Sequence, residues 1–433
     1  MSALPQSVNY QEPLVVLPEN TSNFEYTCSP VNGSLFEPSG QILIDLGNRG
    51  FLDPASLYFR YKITYTGVAA QIPSICGVPA YQPFLRLDTF ANSQNIETIN
   101  NYNTVAALNV NMQMNVADKL GQQFNLGYGH KDGGDVQLLN ENTDGASFNM
   151  GAGTTKDFYY SAPLIGLLGN AEKLIPLFLL NNVRLALTLD SVANVSTNIA
   201  ADAKITKFVI SNFEVCYNCI DMGAEVQNEI TRMNPKLRIK SSTWATSIAP
   251  SIASGVSGSQ SLTFNLRYAS VKSCFALFGG SDGAKSANRL LDSYDITSGN
   301  GDYQFQIGGI NHPQKTLSTL NNKAGLMMEL RKAMGSIFSN NVSLSVNNNE
   351  FSMVSTDVTT VFKPAKFIVA QNLQKMTVTS KGFFTGVSTQ LAPIQLNINI
   401  GTATAQIHNP LLCINYDSIL EIDSMTKSIM MIQ

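Results

Sequence analysis

The 433 residues carry 28 Lys and Arg against 31 Asp and Glu, a formal net charge of -3, and only 14% of the chain is charged while 44% is apolar. Globular proteins average about 25% charged residues, so Asn, Ser, Thr, Gln and Gly fill the deficit, and the near-neutral balance excludes binding to nucleic acid across a whole basic face. The length exceeds one ordinary core and suits two domains of about 200 residues each.

The N-terminal segment MSALPQSVNYQEPLVVLPEN lacks a basic stretch followed by an apolar core. No run of about 18 apolar residues occurs anywhere, so neither a secretory signal nor a membrane span is expected. Residues 1–22, with Pro5, Pro13 and Pro18, read as an extended arm. Period-two alternation then takes over. In QILIDLG (41–47), Ile42, Ile44 and Leu46 share a face, and in SLYFRYKITYTG (56–67) Leu57, Phe59, Tyr61, Ile63 and Tyr65 do so. Both read as half-buried antiparallel strands. The stretch NTVAALNVNMQMNVADKLG (103–121) has helical spacing, with Val105, Leu108, Met112 and Val116 on one stripe, a cap at Asn103 or Thr104, and a stop at Gly121. Segments 129–135 and 140–147 are rich in Gly, Asn and Asp and read as exposed loops. In IPLFLLNNVRLALTLD (175–190), Val183, Leu185, Leu187 and Leu189 alternate with Arg184, Ala186, Thr188 and Asp190, and 204–222 continues as a further strand.

Charge density rises at GAEVQNEITRMNP (223–235), and Pro235 interrupts the pattern, which marks a joint between a first domain at 23–228 and a second at 229–433. Beyond it, 235–242, 260–279, 343–354 and 395–401 read as strands, 279–286 and 297–302 as loops, and NNKAGLMMELRKAMGSIF as a helix with Leu326, Leu330, Ala333 and Ile337 on its apolar stripe. The two helices lie about 220 residues apart, Val105 to Leu326, and each is preceded and followed by a similar order of strands. Such a period is the mark of an internal duplication. The expected fold is therefore all-β, as two tandem eight-stranded antiparallel sandwiches, each with an interposed helix.

Chemistry-bearing patterns are sparse. His130, His312 and His408 stand singly, without metal-ligand spacing. Cys216 and Cys219 form a C-x-x-C that no second pair completes; residues three apart on a strand point to opposite faces, which favours a structural role for these thiols. GVSGS (255–259) lacks the strand and helix context of a nucleophile elbow, and GGSDGAKS (279–286) misses the register of a phosphate loop. Asp88, Glu97, Asp190 and Glu214 are scattered, so a glycosidase pair would have to be assembled by folding. Lys236, Arg238 and Lys240 alternate along one strand, as a solvated face or an inter-subunit pairing would. Trp244 reads as a core or interface anchor, and the N-x-[ST] triplets at Asn20, Asn32, Asn194 and Asn341 match chance in an Asn-rich chain. No catalytic, cofactor-binding or metal residue is expected, and no cofactor.

In order and spacing the chain resembles the double jelly-roll major capsid proteins of icosahedral DNA viruses. The resemblance rests on GFLDPASLYFRYKI (50–63), SAPLIGLLGNAEKLIPLFLLNNVRLALTLD (161–190), ITKFVISNFEVCYNCIDM (205–222), RYASVKSCF (267–275) and YDSILEID (416–423). In its short length, poor in hexon loops, it is most similar within that hexon-like family to the capsid proteins of polinton-like viruses and virophages. The resemblance implies a non-enzymatic shell protein. Its partners would be further copies of itself in homotrimeric, pseudo-hexameric capsomers, minor capsid or penton proteins, and an internal membrane where one is present, with no sequence-specific nucleic-acid binding. It would be assembled inside the host cell and reside in the virion. Residues 129–153 and 279–302 would form the outer loops. Two alternatives remain at this stage: a carbohydrate-binding or glycan-cleaving jelly-roll protein, and a minor or vertex capsid protein.

Overall fold

The computed structural model describes residues 21–69, 74–75, 77–114, 121–127, 146–147, 150, 153–180, 182–197, 205–281, 293–320, 323–335, 346, 348–354, 365–375 and 384–433. The N-terminal half contains β1 (Ser22–Cys28), β2 (Gln41–Asp45), β3 (Tyr58–Gly67), β4 (Phe84–Ala91), β5 (Gln94–Asn100), α1 (Tyr102–Gln113), β6 (Thr155–Pro163), β7 (Arg184–Leu189) and β8 (Ile205–Asp221). A helix, α2 (Ala224–Met233), leads into the C-terminal half. There follow β9 (Lys236–Ile248), β10 (Gly258–Phe264), β11 (Val271–Ser281), β12 (Gly301–Ile307), β13 (Ile310–Ser318), α3 (Ala324–Met334), β14 (Val369–Asn372), β15 (Ile394–Ile400), β16 (Ile407–Asp423) and β17 (Ile429–Ile432).

Among the described residues every ladder between these strands is antiparallel, and their hydrogen-bonding order is the same in both halves. The first half forms sheets β1-β8-β3-β6 and β2-β7-β4-β5; the second forms β9-β16-β11-β14 and β10-β15-β12-β13, with β17 added beside β16. Adding eight to each strand of the first half generates the second. The helices α1 and α3 occupy the same slot, after the fourth pair member (β5, β13) and before the next strand (β6, β14). This is the jelly-roll order twice over, and among the described residues no ladder joins one half to the other.

The cause is the alternation. Leu57, Phe59, Tyr61, Ile63 and Tyr65 are all buried, as are Val183, Leu185, Leu187 and Leu189, so each strand turns one apolar face towards the opposing sheet. Phe59 and Tyr61 on β3, Phe84 on β4 and Phe213 on β8 interlock with ring centroids 5.4 to 6.0 Å apart, which stitches the two sheets of the first half together. In the second half Tyr303 sits between Phe278 and Phe367 at 5.8 and 5.5 Å.

Several expectations need correction. The stretch 260–279 is two strands, β10 and β11, in opposite sheets, because the chain crosses between them at 265–270. The strand expected at 235–242 continues to Ile248, so Trp244 lies mid-strand. Of 343–354, residues Asn348–Phe351 form a helical turn. The helix α1 starts after Asn101, whose backbone is left-handed, and Asn103 instead donates to Asp190 at 2.9 Å. Its residues from Tyr102 to Met112 are all buried, so it is enclosed rather than striped. Val116, Ile337 and loop 129–135 lie outside the described residues. In the loop expected at 279–302, Ser293 to Thr297 are buried. The segment expected to join the two domains, 223–235, contains α2, Ala224–Met233.

Candidate functional site

Two surfaces stand out: the seam between the halves and the outer sheet faces. At the seam, β9 of the second half lies against β5 and the connection 164–172 of the first. Ser241 Oγ donates to the Leu167 carbonyl at 2.6 Å, Asn170 Nδ2 to the Ser242 carbonyl at 2.9 Å, and Thr246 Oγ1 to the Asn100 carbonyl at 3.1 Å. The Glu172 amide donates to the Lys240 carbonyl at 3.0 Å, and Asn92 Nδ2 donates to the Lys427 carbonyl. The seam thus consists mainly of small hydroxyl and amide groups meeting backbone.

Among the described residues, the carboxylate enclosed in it is Glu97, 3% exposed. Oε1 accepts from the Leu167 amide at 2.7 Å and from Thr243 Oγ1 of the second half, and Oε2 accepts from Thr89 Oγ1 at 2.9 Å. Burial pushes its carboxyl above the ordinary value, against the lowering effect of those three donors. Deeper in the second half, Asp417 is fully buried; its Oδ2 accepts from Ser270 Oγ at 2.9 Å and the Thr385 amide at 3.0 Å, with Lys240 and Lys272 at 3.9 and 3.8 Å from Oδ1. Burial holds Lys272 below its ordinary range. A cavity of about 210 Å³ at the seam is lined by Asn109, Gln113 and Asn170 from the first half and by Ser242, Trp244 and Lys272, among others, from the second.

The outer face of sheet β10-β15-β12-β13 is nearly free of charge. Across the strands run the rows Ser261, Asn397, Gln304 and Thr263, Gln395, Gln306, and a third row of Ser259, Asn399 and Asp302 holds its one carboxylate. The first half's β3-β8 face instead carries paired charges, Arg60 with Glu214 at 2.7 Å and Lys62 with Asp157 at 2.8 Å.

The residues singled out in the sequence are dispersed. Asp88 accepts from Arg86 and Thr98, Asp190 from Asn103 and Asn194, and Glu214 from Arg60. Each is held by separate structural partners. His312 is half-buried on β13 and His408 fully buried on β16, and burial lowers the basicity of both, the latter to about 4; His130 lies outside the described residues. Cys216 and Cys219 are buried and free, on Thr27 and the Arg49 carbonyl respectively. Lys236 and Arg238 both reach Glu421, at 2.9 and 2.7 Å, so the alternating cations serve strand pairing between β9 and β16. Trp244 packs on Phe275, centroids 5.7 Å apart. Asn32 and Asn194 hold local hydrogen bonds, while Asn20 and Asn341 lie outside the described residues. Among the described residues no cluster of three or more His, Cys, Asp or Glu could hold a metal, and no helix is long and apolar enough to cross a membrane. Sequence reasoning missed the joining role of Glu97. The available signal was its place two residues from Ile99, on the inward side of a strand.

Comparison with known proteins defines the class of fold. No family model matches the chain, and no curated protein matches its sequence. Solved structures do. PBCV-1 VP54, fitted into a cryo-EM reconstruction of the virophage Sputnik, superposes with a TM-score of 0.61 at 13% identity over 98% of both chains. The Faustovirus major capsid protein gives 0.60 at 8% identity, over 96% of this chain and 92% of that one, and the mavirus major capsid protein 0.53 at 10%, over 100% and 95%. The chain is a double jelly roll of the kind found in viral major capsid proteins.

Proposed function

We propose that this protein is the major building block of an icosahedral viral shell, a structural protein and not an enzyme. The observation that carries the reading is the strand order repeated twice along the whole chain, in the arrangement shared with the Faustovirus and mavirus capsid proteins. Two similar sandwiches side by side give one subunit two near-equivalent positions around a three-fold axis, so three copies make a six-sided tile. The nearly uncharged outer face of the second half supports the same reading, since amides and hydroxyls lose little on desolvation against a neighbour. The two domains, 23–228 and 229–433, supply alternate corners of the tile. The arm at 1–22, of which residues 1–20 lie outside the described residues, ties the tile to its neighbours or to a membrane beneath; minor or penton proteins fill the vertices. The working place is the virion.

Light scattering on purified protein tests this. A stable particle of three times 46.9 kDa is the expected result. A strict monomer at high concentration refutes the capsomer, and saturable glycan binding by such a monomer would favour a carbohydrate-binding jelly roll instead.

A further inference from the structure

The cavity at the seam is built from the same element of each roll. α1 and α3, which hold the same slot in the duplicated order, both end on it: Asn109 and Gln113 come from the last turns of one, Ala333 and Met334 from the last turn of the other. Its floor is one face of the sheet β9-β16-β11, where Trp244, Asn415 and Ser273 are direct cross-strand neighbours and so present their side chains together. The volume of about 210 Å³ equals about seven waters at ~30 Å³ each, the space of one sugar ring with its hydroxyls and not of two.

These side chains have hydrogen bonds left to make. Trp244 is 4% exposed and Ser273 5%, yet among the described residues neither the indole N–H nor the hydroxyl finds a partner. Neither atom is sealed off from solvent, so both open on the space their residues line. Asn415 Nδ2 donates to the Thr243 carbonyl at 3.3 Å, which leaves Oδ1 to accept. Asn109, 8% exposed, has no partner for its Oδ1. A buried indole N–H is ordinarily bonded, so an open donor, an open hydroxyl and two amide acceptors around one small space define a recognition surface.

The electrostatics select against a charged ligand. The helix ends that reach the cavity are both C-terminal, the negative ends of the two dipoles, and these oppose an anion. The charged side chain of the described lining is Lys272, which opposes a second cation and already faces the buried Asp417 at 3.8 Å. What remains complementary is a neutral group that both donates and accepts, the alcohol hydroxyl. We propose that this cavity is a binding site for a neutral polyhydroxylated molecule the size of one monosaccharide, held by Trp244 Nε1–H, the Ser273 hydroxyl and the amides of Asn415 and Asn109. Occupancy of this site and assembly into a shell are separate properties, and light scattering decides the second.

Trp244 is the sole tryptophan, so the intrinsic tryptophan fluorescence of the full chain reports on this cavity. Titration with D-glucose, D-galactose, D-mannose and myo-inositol is expected to give a saturable change with at least one of them. For about twelve non-hydrogen atoms bound at modest efficiency, the dissociation constant is on the order of 1 mM. Sucrose, too large for the cavity, and inorganic phosphate, an anion, are expected to give no saturable change. In calorimetry, Ser273→Met, which fills the floor, is expected to weaken binding by about ten-fold or more. Trp244→Phe, which removes the N–H and keeps a ring on Phe275, is expected to weaken it by about two- to ten-fold. Thermal melts check that each variant folds, and if Ser273→Met does not, Trp244→Phe decides. No saturable response to any of the four up to about a hundred times that constant overturns the site, as does binding that the folded variants retain unchanged. Saturation by phosphate or sucrose alone overturns the ligand class.

Discussion

Glu97 offers the sharpest test of how the two rolls are held. It is 3% exposed, and its three hydrogen-bond donors, the Leu167 amide, Thr89 and Thr243, are all neutral. Burial raises its folded-state pKa above the ordinary 4.5, so the stability it contributes is full below that value and is lost as pH rises through the folded pKa. Each unit of that shift is worth about 1.4 kcal/mol. Replacement by Gln keeps the shape: the amide oxygen accepts from Leu167 and Thr243, and the amide NH2 donates to Thr89, whose hydroxyl rotates to accept. Glu97→Gln is therefore expected to match or exceed the wild type at pH 8, with its relative advantage growing as pH rises from below 4.5. Glu97→Ala strands the buried Leu167 amide and two hydroxyls, at about 1 to 3 kcal/mol for each group left unpaired, and is expected to lose several kcal/mol at every pH. Urea midpoints for the three proteins at pH 4, 6 and 8 measure this directly. If Glu97→Gln loses as much as Glu97→Ala at pH 8, the ionised charge itself is stabilising, and the reasoning is wrong.

His408 is fully buried, beside the backbone of Phe278 and Gly279, and burial lowers its pKa from 6.5 to about 4. Its neutral form is favoured by folding, so its contribution is full above pH 6.5 and falls away towards pH 4, by up to about 3 kcal/mol; His408→Gln should remove that part of the acid sensitivity in denaturant melts at pH 7 and 4.5, and an unchanged pH dependence would refute the assignment. Phe59→Ala, which empties the centre of the ring cluster with Tyr61, Tyr81, Phe84 and Phe213, should cost about 3 to 5 kcal/mol. Tyr159→Ala, at a side chain 63% exposed, should stay within about 0.5 kcal/mol, and equal losses would mean that the cluster is not the core.

What was legible in the sequence was whatever depends on period two. Leu57 to Tyr65 and Val183 to Leu189 alternate because one face of each strand is buried and the other is not, so their pattern carries the fold directly. The duplication was legible for the same reason, since two similar cores impose similar spacing at low identity. Features set by contact between elements were not. The helix α1 shows Val105, Leu108 and Met112 as a stripe, yet Asn103, Asn109 and Asn111 are buried too. Asn103 lies opposite that stripe while Asn109 and Asn111 flank it, and Asn109 helps line the cavity shared with the second half. Burial of an amide against a partner hundreds of residues away leaves no local trace. Likewise nothing in RYAS, residues 267–270, announces that the chain leaves one sheet for the other between Phe264 and Val271.

The polar make-up of the seam follows from tethering. Within the chain, α2 holds β9 close to β5, so the second contact is made at high effective concentration and weak groups suffice. Ser241, Ser242, Thr243 and Thr246 meet backbone and a single carboxylate there, with little apolar area of their own. Between copies no such tether exists, and association must overcome the loss of translational and rotational freedom before any contact is gained. Non-directional apolar burial does this best, so a seam made of hydroxyls and amides on backbone is the kind of contact that a tether makes sufficient.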